Sequence, residues 1–167
     1  LELSQAQYMQ ELRRFRHTHF LRLLLLEIAG LASTQEVMQS WSDLADSIIL
    51  HTLKYIGFTL LSRYGVPRNS EGKEIQLYAL AMGKLGGREL NYSSDIDLIF
   101  AFNEVGCTDG EEQITNQHYF SKMVQTFVHL LQSVTPDGFV FRVDLRLRPN
   151  GDSGPLVSSF AAMETYY

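Results

Sequence analysis

The stretch GGRELNYSSDIDLIF, residues 86–100, decides how the rest of the chain is read. It sets two aspartates into what otherwise looks like a core strand: Asp95 and Asp97 alternate with Ile96 and Leu98, and Ile99 and Phe100 follow. Side chains at i and i+2 share one strand face, about 6.6 Å apart along it. A carboxylate buried there is costly unless it is paired or bound to a metal. Two like charges on one face of such a strand must therefore converge on something that compensates them.

The flanking pattern supplies a fold. Ile75–Met82 is a short apolar run bounded by glycines and reads as a buried strand; Gly83–Asn91 reads as a glycine-rich turn with one turn of helix, and Asp95–Phe102 as the second strand. A loop through Gly106, Asp109 and Gly110 leads to a helix whose apolar positions Phe120, Met123, Val124, Phe127, Val128 and Leu131 keep helical spacing. After a turn at Pro136–Gly138, Phe139–Arg148 alternates. Phe139, Phe141, Val143, Leu145 and Leu147 fall on one face, and Val140, Arg142, Asp144, Arg146 and Arg148 on the other. Pro149–Pro155 is a loop, and Ser158 or Ser159 caps a last helix.

Upstream, two helices are expected. Tyr8, Leu12, Phe15, Leu23 and Leu26 form the stripe of the first, with Arg13, Arg14, Arg16 and Arg22 around it and a stop at Gly30. Ser33 and Glu36 form a capping box opening the second, which runs through Trp41, Ile48 and Ile56 until Gly65 and Pro67 close it. The class is thus α+β: a helical segment over residues 1–67, then a small mixed sheet with flanking helices over residues 68–167.

Composition narrows the function classes. A chain of 167 residues with 45% hydrophobic and 20% charged residues is that of a soluble globular protein. A net charge of -5 argues against nucleic-acid binding through the phosphate backbone. Cys107 is the single cysteine, which excludes an internal disulfide and is compatible with a cytoplasmic setting. The most apolar stretch, Phe20–Leu31, is interrupted by Arg22 and Glu27 and is too short to span a bilayer, so no membrane association is expected. The chain starts on Leu1 and stops at Tyr167 within a helix-like run, and reads as a piece of something larger.

Asp144 is the third acidic residue set into a strand pattern. If the three strands are neighbours, Asp95, Asp97 and Asp144 converge, and hard divalent cations such as magnesium take such oxygen ligands together with substrate phosphates. Two ions about 4 Å apart would clamp the attacking and leaving oxygens of a phosphoryl displacement. Gly86 and Gly87 allow close backbone approach to a phosphate, and Lys84, Arg146 and Arg148 are candidate phosphate contacts. Each feature has a plainer reading: D-x-D pairs mostly sit in solvated turns, Gly-Gly in ordinary turns, and Asp144 among arginines suits a surface ladder. It is their combination that points to a site. Three other features carry no function: GDSGP at 151–155 follows a strand and lacks the all-β context of a Ser153 nucleophile, His17 and His19 diverge around a helix, and Cys107 has no partnered histidine.

At these residues the chain resembles a known family. The Gly-Gly, D-x-D and distant Asp arrangement is similar to the nucleotidyltransferase superfold shared with DNA polymerase β. AMGKLGGRELNYSSDIDLIF and GFVFRVDLRLRPNGDSGPLVSSFAAMETYY resemble the bifunctional glutamine synthetase adenylyltransferase/adenylyl-removing enzymes, and the helical start resembles the segment before that motif. RVDLRLRP followed by SGPLV is similar to the amino-terminal, adenylyl-removing half; the adenylylating half tends to carry an acidic residue where Arg142 stands. The resemblance implies magnesium-dependent phosphorolysis. Phosphate would attack AMP carried on a glutamine synthetase tyrosine, giving ADP. Asp95, Asp97 and Asp144 would hold two magnesium ions, Gly86, Gly87 and Ser94 would lie at the phosphates, and a PII-type nitrogen signal protein would be a partner of the full-length enzyme. Rival readings are adenylyl transfer from ATP, the uridylyltransferase of the same cascade, and a non-catalytic nucleotide-binding docking module.

Overall fold

A computed structural model describes residues 3–167; Leu1 and Glu2, the start of the expected helical segment, lie outside the described residues. Helices α1 (Gln5–Ile28) and α2 (Thr34–Tyr64) form a hairpin whose antiparallel sense shows in the stacking of Tyr8 on Tyr55 and the edge-to-face contact of Phe20 with Trp41. The expected capping box opens α2: Glu36 N–H donates to Ser33 Oγ at 3.3 Å and Ser33 N–H to Glu36 Oε2 at 2.8 Å. Gly65 ends α2 at φ 71°, where a Cβ would stand 2.4 Å from Gly110 N. By length and hydropathy α2 could cross a bilayer, but its Val37, Trp41, Ile48 and Ile56 face builds the protein core.

Beyond the hairpin come β1 (Pro67–Arg68), β2 (Leu77–Met82), α3 (Gly83–Gly86), β3 (Ile96–Phe102), β4 (Cys107–Thr108), α4 (Asn116–Gln132), β5 (Val143–Asp144), β6 (Val157–Ser159) and α5 (Phe160–Tyr166). β1 and β4 make a short antiparallel ribbon. In the main sheet β2 pairs antiparallel with β3, whose other edge takes β5 and β6 in succession, both parallel. Both faces of β3 are buried. Ile96, Leu98, Phe100 and Phe102 pack against the helices, with Phe100 on Phe127 of α4 at 5.5 Å and Phe102 on Phe120 at 5.3 Å. One continuous apolar cluster joins Leu12, Trp41 and Ile56 of the hairpin to β3, α4, Val140 and Phe141.

Three features depart from the sequence reading. β2 is an edge strand, not a buried one: it pairs with β3 alone, and Tyr78, Leu80 and Met82 on its outer face are exposed. The alternating ladder over Phe139–Arg148 is reduced to Val143–Asp144. Val140 and Phe141, neighbours in sequence, are both buried while Phe139 is exposed. Their amides both donate to Leu131 O, at 2.8 and 3.3 Å, so this segment is held by the carboxyl end of α4 rather than by a strand. Past Asp144 the chain turns at once, because Arg146 N–H donates to Asp144 Oδ1 at 2.8 Å.

The third departure is Arg13, placed by sequence among the polar residues around α1 but fully buried. Its guanidinium donates to Met9 O at 2.9 Å within α1, to Leu130 O at 3.2 Å and Ser133 O at 2.5 Å at the end of α4, and to Gly138 O at 2.9 Å in the following turn. Burial pushes its pKa down, opposed by the charge of Asp137. A forked donor satisfying four carbonyls is beyond the reach of a single ammonium. Arg13→Ala should cost about 3 kcal/mol of unfolding free energy, since it leaves several carbonyls unpaired; urea titration measures this. Arg13→Lys should recover less than half of the loss.

Candidate active site

The site lies at the end of the sheet where β2 runs into α3 and β3 begins. Asn91 organises the approach: its Oδ1 accepts from Ser93 N–H, Ser93 Oγ and Ser94 Oγ, closing a turn that delivers Asp95 immediately before β3. Asp97, two residues on, is directly opposite Met82 on β2 and Asp144 on β5. Opposed residues share a sheet face. The three acidic residues therefore meet at one cleft of ≈430 Å³, walled by Gly83, Lys84, Ser93, Ser94, Asp95, Asp97, Arg142, Asp144 and Arg146.

The carboxylates are not equivalent. Arg142 Nε donates to Asp95 Oδ1 at 2.5 Å, and Arg142 Nη2 donates to Ser93 O at 2.8 Å. Arg146 Nε reaches both Asp144 oxygens, at 3.1 and 2.9 Å, and its Nη2 also binds Oδ2. Hydrogen bonds from Arg146 hold the Asp144 carboxyl below the usual carboxylate range, and Asp144 in turn pushes Arg146 up. Asp97 has no hydrogen-bond or ion-pair partner among the described residues. Partial burial, then the like charges of Asp144 and Asp95, push its carboxyl above the usual range. Gly83, at φ 54°, lies so close that a Cβ there would be 2.5 Å from Asp97 Oδ2.

Most of the expected site residues are brought together here: Asp95, Asp97, Asp144, Lys84, Ser94 and Arg146. Gly86 and Gly87 are not on the cleft wall. The helical turn begins at Gly83, so Gly86 ends it, packed where a Cβ would meet Ala81 O at 2.5 Å, and Gly87 caps it. Arg148 is not on this wall either, but it lines the adjoining pocket with Asp95, Arg142, Asp144 and Arg146, and its charge helps to hold the Asp144 carboxyl down. Its side chain is nearly buried, donating to Leu145 O at 2.8 Å and Gly154 O at 3.4 Å, and it braces the 145–154 loop. Sequence reading passed over Arg142, Ser93 and Gly83; Arg142 was visible two residues before Asp144 in the alternation, but nothing linked it to Asp95. Among the features set aside, Ser153 Oγ donates to Asn150 O within a local turn and Cys107 is a free, exposed thiol.

A divalent cation suits the chemistry of these donors: three hard carboxylates face one cleft, and Asp97 has only the more distant charge of Arg146 to offset its own. As placed, however, no three acidic, histidine or cysteine side chains among the described residues are gathered into a metal cluster. Two of the three carboxylates are paired with arginines instead, Asp95 with Arg142 and Asp144 with Arg146.

A small mixed sheet presenting acidic residues from adjacent strands, led in by a glycine turn and backed by helices, is the fold of a nucleotidyltransferase. Residues 2–167 match the glutamate-ammonia ligase adenylyltransferase family, and the chain belongs to it. It is 48% identical over 157 residues to the bifunctional glutamine synthetase adenylyltransferase/adenylyl-removing enzyme of Mannheimia haemolytica, and 44% identical over 164 residues to that of Thioalkalivibrio sulfidiphilus (strain HL-EbGR7). These matches take in 93% and 98% of the chain but span 16% and 17% of the relatives' lengths.

The unbalanced Asp97 has a measurable consequence. Its raised pKa means the native state binds a proton more readily than the unfolded chain, so stability falls as pH rises through the interval between the two values. In divalent-free buffer at pH 7–8, Asp97→Asn should therefore raise Tm. The gain should vanish as pH drops below the ordinary carboxylate value of about 3.9, and thermal unfolding across that range tests it.

Proposed function

We propose that this chain carries the adenylyl-removing site of its enzyme: magnesium-dependent phosphorolysis of the AMP–tyrosine bond on glutamine synthetase. An oxygen of inorganic phosphate attacks the adenylyl phosphorus, the bond from phosphorus to the tyrosine oxygen breaks, and that oxygen takes up a proton, leaving ADP and unmodified tyrosine. Asp95, Asp97 and Asp144 would hold magnesium, which when bound supplies charge neutralisation at the transferred phosphoryl group. Lys84, Arg142 and Arg146 bind and orient phosphate oxygens, and the Ser93–Ser94 turn fixes their approach. Catalysis here is mostly positioning and charge stabilisation.

The observation that carries this reading is the joint presence of three carboxylates and three cationic side chains around one cleft. Carboxylates alone would suit a cation site; the added basic groups suit a second, anionic reactant such as phosphate. The SGPLV segment after the third aspartate, similar to the adenylyl-removing half of the family, supports the same direction.

The test is to incubate the full-length protein with adenylylated glutamine synthetase, inorganic phosphate and magnesium and to measure ADP. ADP should form, and Asp97→Asn should reduce its rate by at least about a hundredfold. If this site works in the other direction, Asp97→Asn will spare ADP formation and abolish the gain of one AMP by unmodified glutamine synthetase given ATP.

A further inference from the structure

The cleft balances three acidic residues against Lys84, Arg142 and Arg146, yet the pairing within it is selective. Arg142 spans Asp95 and the Ser93 carbonyl, Arg146 is wrapped around Asp144, and Asp97 stands without a partner. Both arginines are exposed, Arg142 at 58% and Arg146 at 73%, but Asp95 is the more open of the two paired carboxylates, 42% exposed against 13% for Asp144. Exposed ion pairs contribute little stability and are easily exchanged. Arg142 is therefore held at the cleft mouth by a weak bond to a residue that a cation would claim.

We infer that Arg142 is the residue that selects phosphate as the attacking reactant, and that Asp95 keeps it in reserve. While Asp95 is free of metal, it occupies the guanidinium. Once a divalent cation takes the Asp95 carboxylate, the fork of Arg142 turns to two oxygens of inorganic phosphate, a match in shape and charge that lysine lacks. Cation and phosphate binding are then coupled through one side chain, each favouring the other. This rests on reading the cleft as the phosphate-handling site, but not on turnover: a binding measurement decides it even where the ADP assay fails.

The experiment is equilibrium binding of inorganic phosphate to the full-length protein in metal-free buffer. Asp95→Asn releases Arg142 without any metal, so phosphate should bind about tenfold more tightly than to the unsubstituted protein. Arg142→Gln should change metal-free binding by less than about twofold, because the guanidinium is already occupied. The decisive case is Asp95→Asn combined with Arg142→Gln, where the gain should disappear. A gain that survives in the double variant is simple loss of a repelling charge and overturns the inference, as does no gain in Asp95→Asn. AMP is the comparison ligand. If Asp95→Asn tightens AMP but not inorganic phosphate, Arg142 serves the adenylyl group and the assignment to the attacking phosphate is overturned. Far-ultraviolet circular dichroism confirms that each variant is folded.

Discussion

Two ladder rungs, Ile96 to Val143 and Asp97 to Asp144, bring the third carboxylate of this site to the other two. A two-residue parallel pairing is too short to fix its own register, and one residue of slip would turn Asp144 to the opposite face. Its position is set from outside the sheet. Leu131 O receives the amides of Val140 and Phe141, which land in the core against Trp41, and Arg13 ties the end of α4 and the 135–138 turn to α1. Ile96 N–H completes the anchorage by donating to Arg142 O at 2.9 Å. The helical hairpin is thus a splint for the acidic cleft, although no residue of α1 or α2 lines it.

This arrangement explains how three carboxylates can share one cleft. Asp97 is held beside two other carboxylates and close against Gly83, an unfavourable place for an anion. The cost is limited because its neighbours are neutralised locally: Asp144 by Arg146, and Asp95 by Arg142. Strain of this kind concentrates at sites whose missing partner arrives with the ligand. The opposite face of β3 is apolar: Leu98, Phe100 and Phe102 are buried there in the cluster shared with the helices.

Much of this was legible in the residues because it obeys local rules. The capping box at Ser33–Glu36, the helical period of α4 and the D-x-D entry to β3 are all written within a few positions of themselves. What escaped reading depends on distant partners. The alternation over 139–148 has strand period, yet the carbonyl of Leu131 claims two consecutive amides there. Arg13 looks like any basic residue on an amphipathic helix, and only the approach of three carbonyls from 130–138 makes it a core residue. Gly86 and Gly87 read as a phosphate cradle from the doublet alone, but the helical turn starts at Gly83, and it is Gly83 that stands close against Asp97.

The same non-locality separates the two arginines that flank Asp144. Arg146 follows the carboxylate by two residues, and its backbone amide and side chain both return to it, so the pair is a local turn that forms with the loop. Arg142 precedes Asp144 by the same interval but reaches across to the end of another strand, 47 residues away in sequence. A local pair gains little from tertiary structure and shields its carboxylate; a long-range pair exists only when β3 and β5 are in register, and it is solvent-facing enough to reopen. Neutralisation and responsiveness are therefore divided between the two. Arg146 makes Asp144 tolerable on the sheet face, and Arg142, bound to the more accessible of the two paired carboxylates, is the cation whose partner an incoming ligand can more easily change.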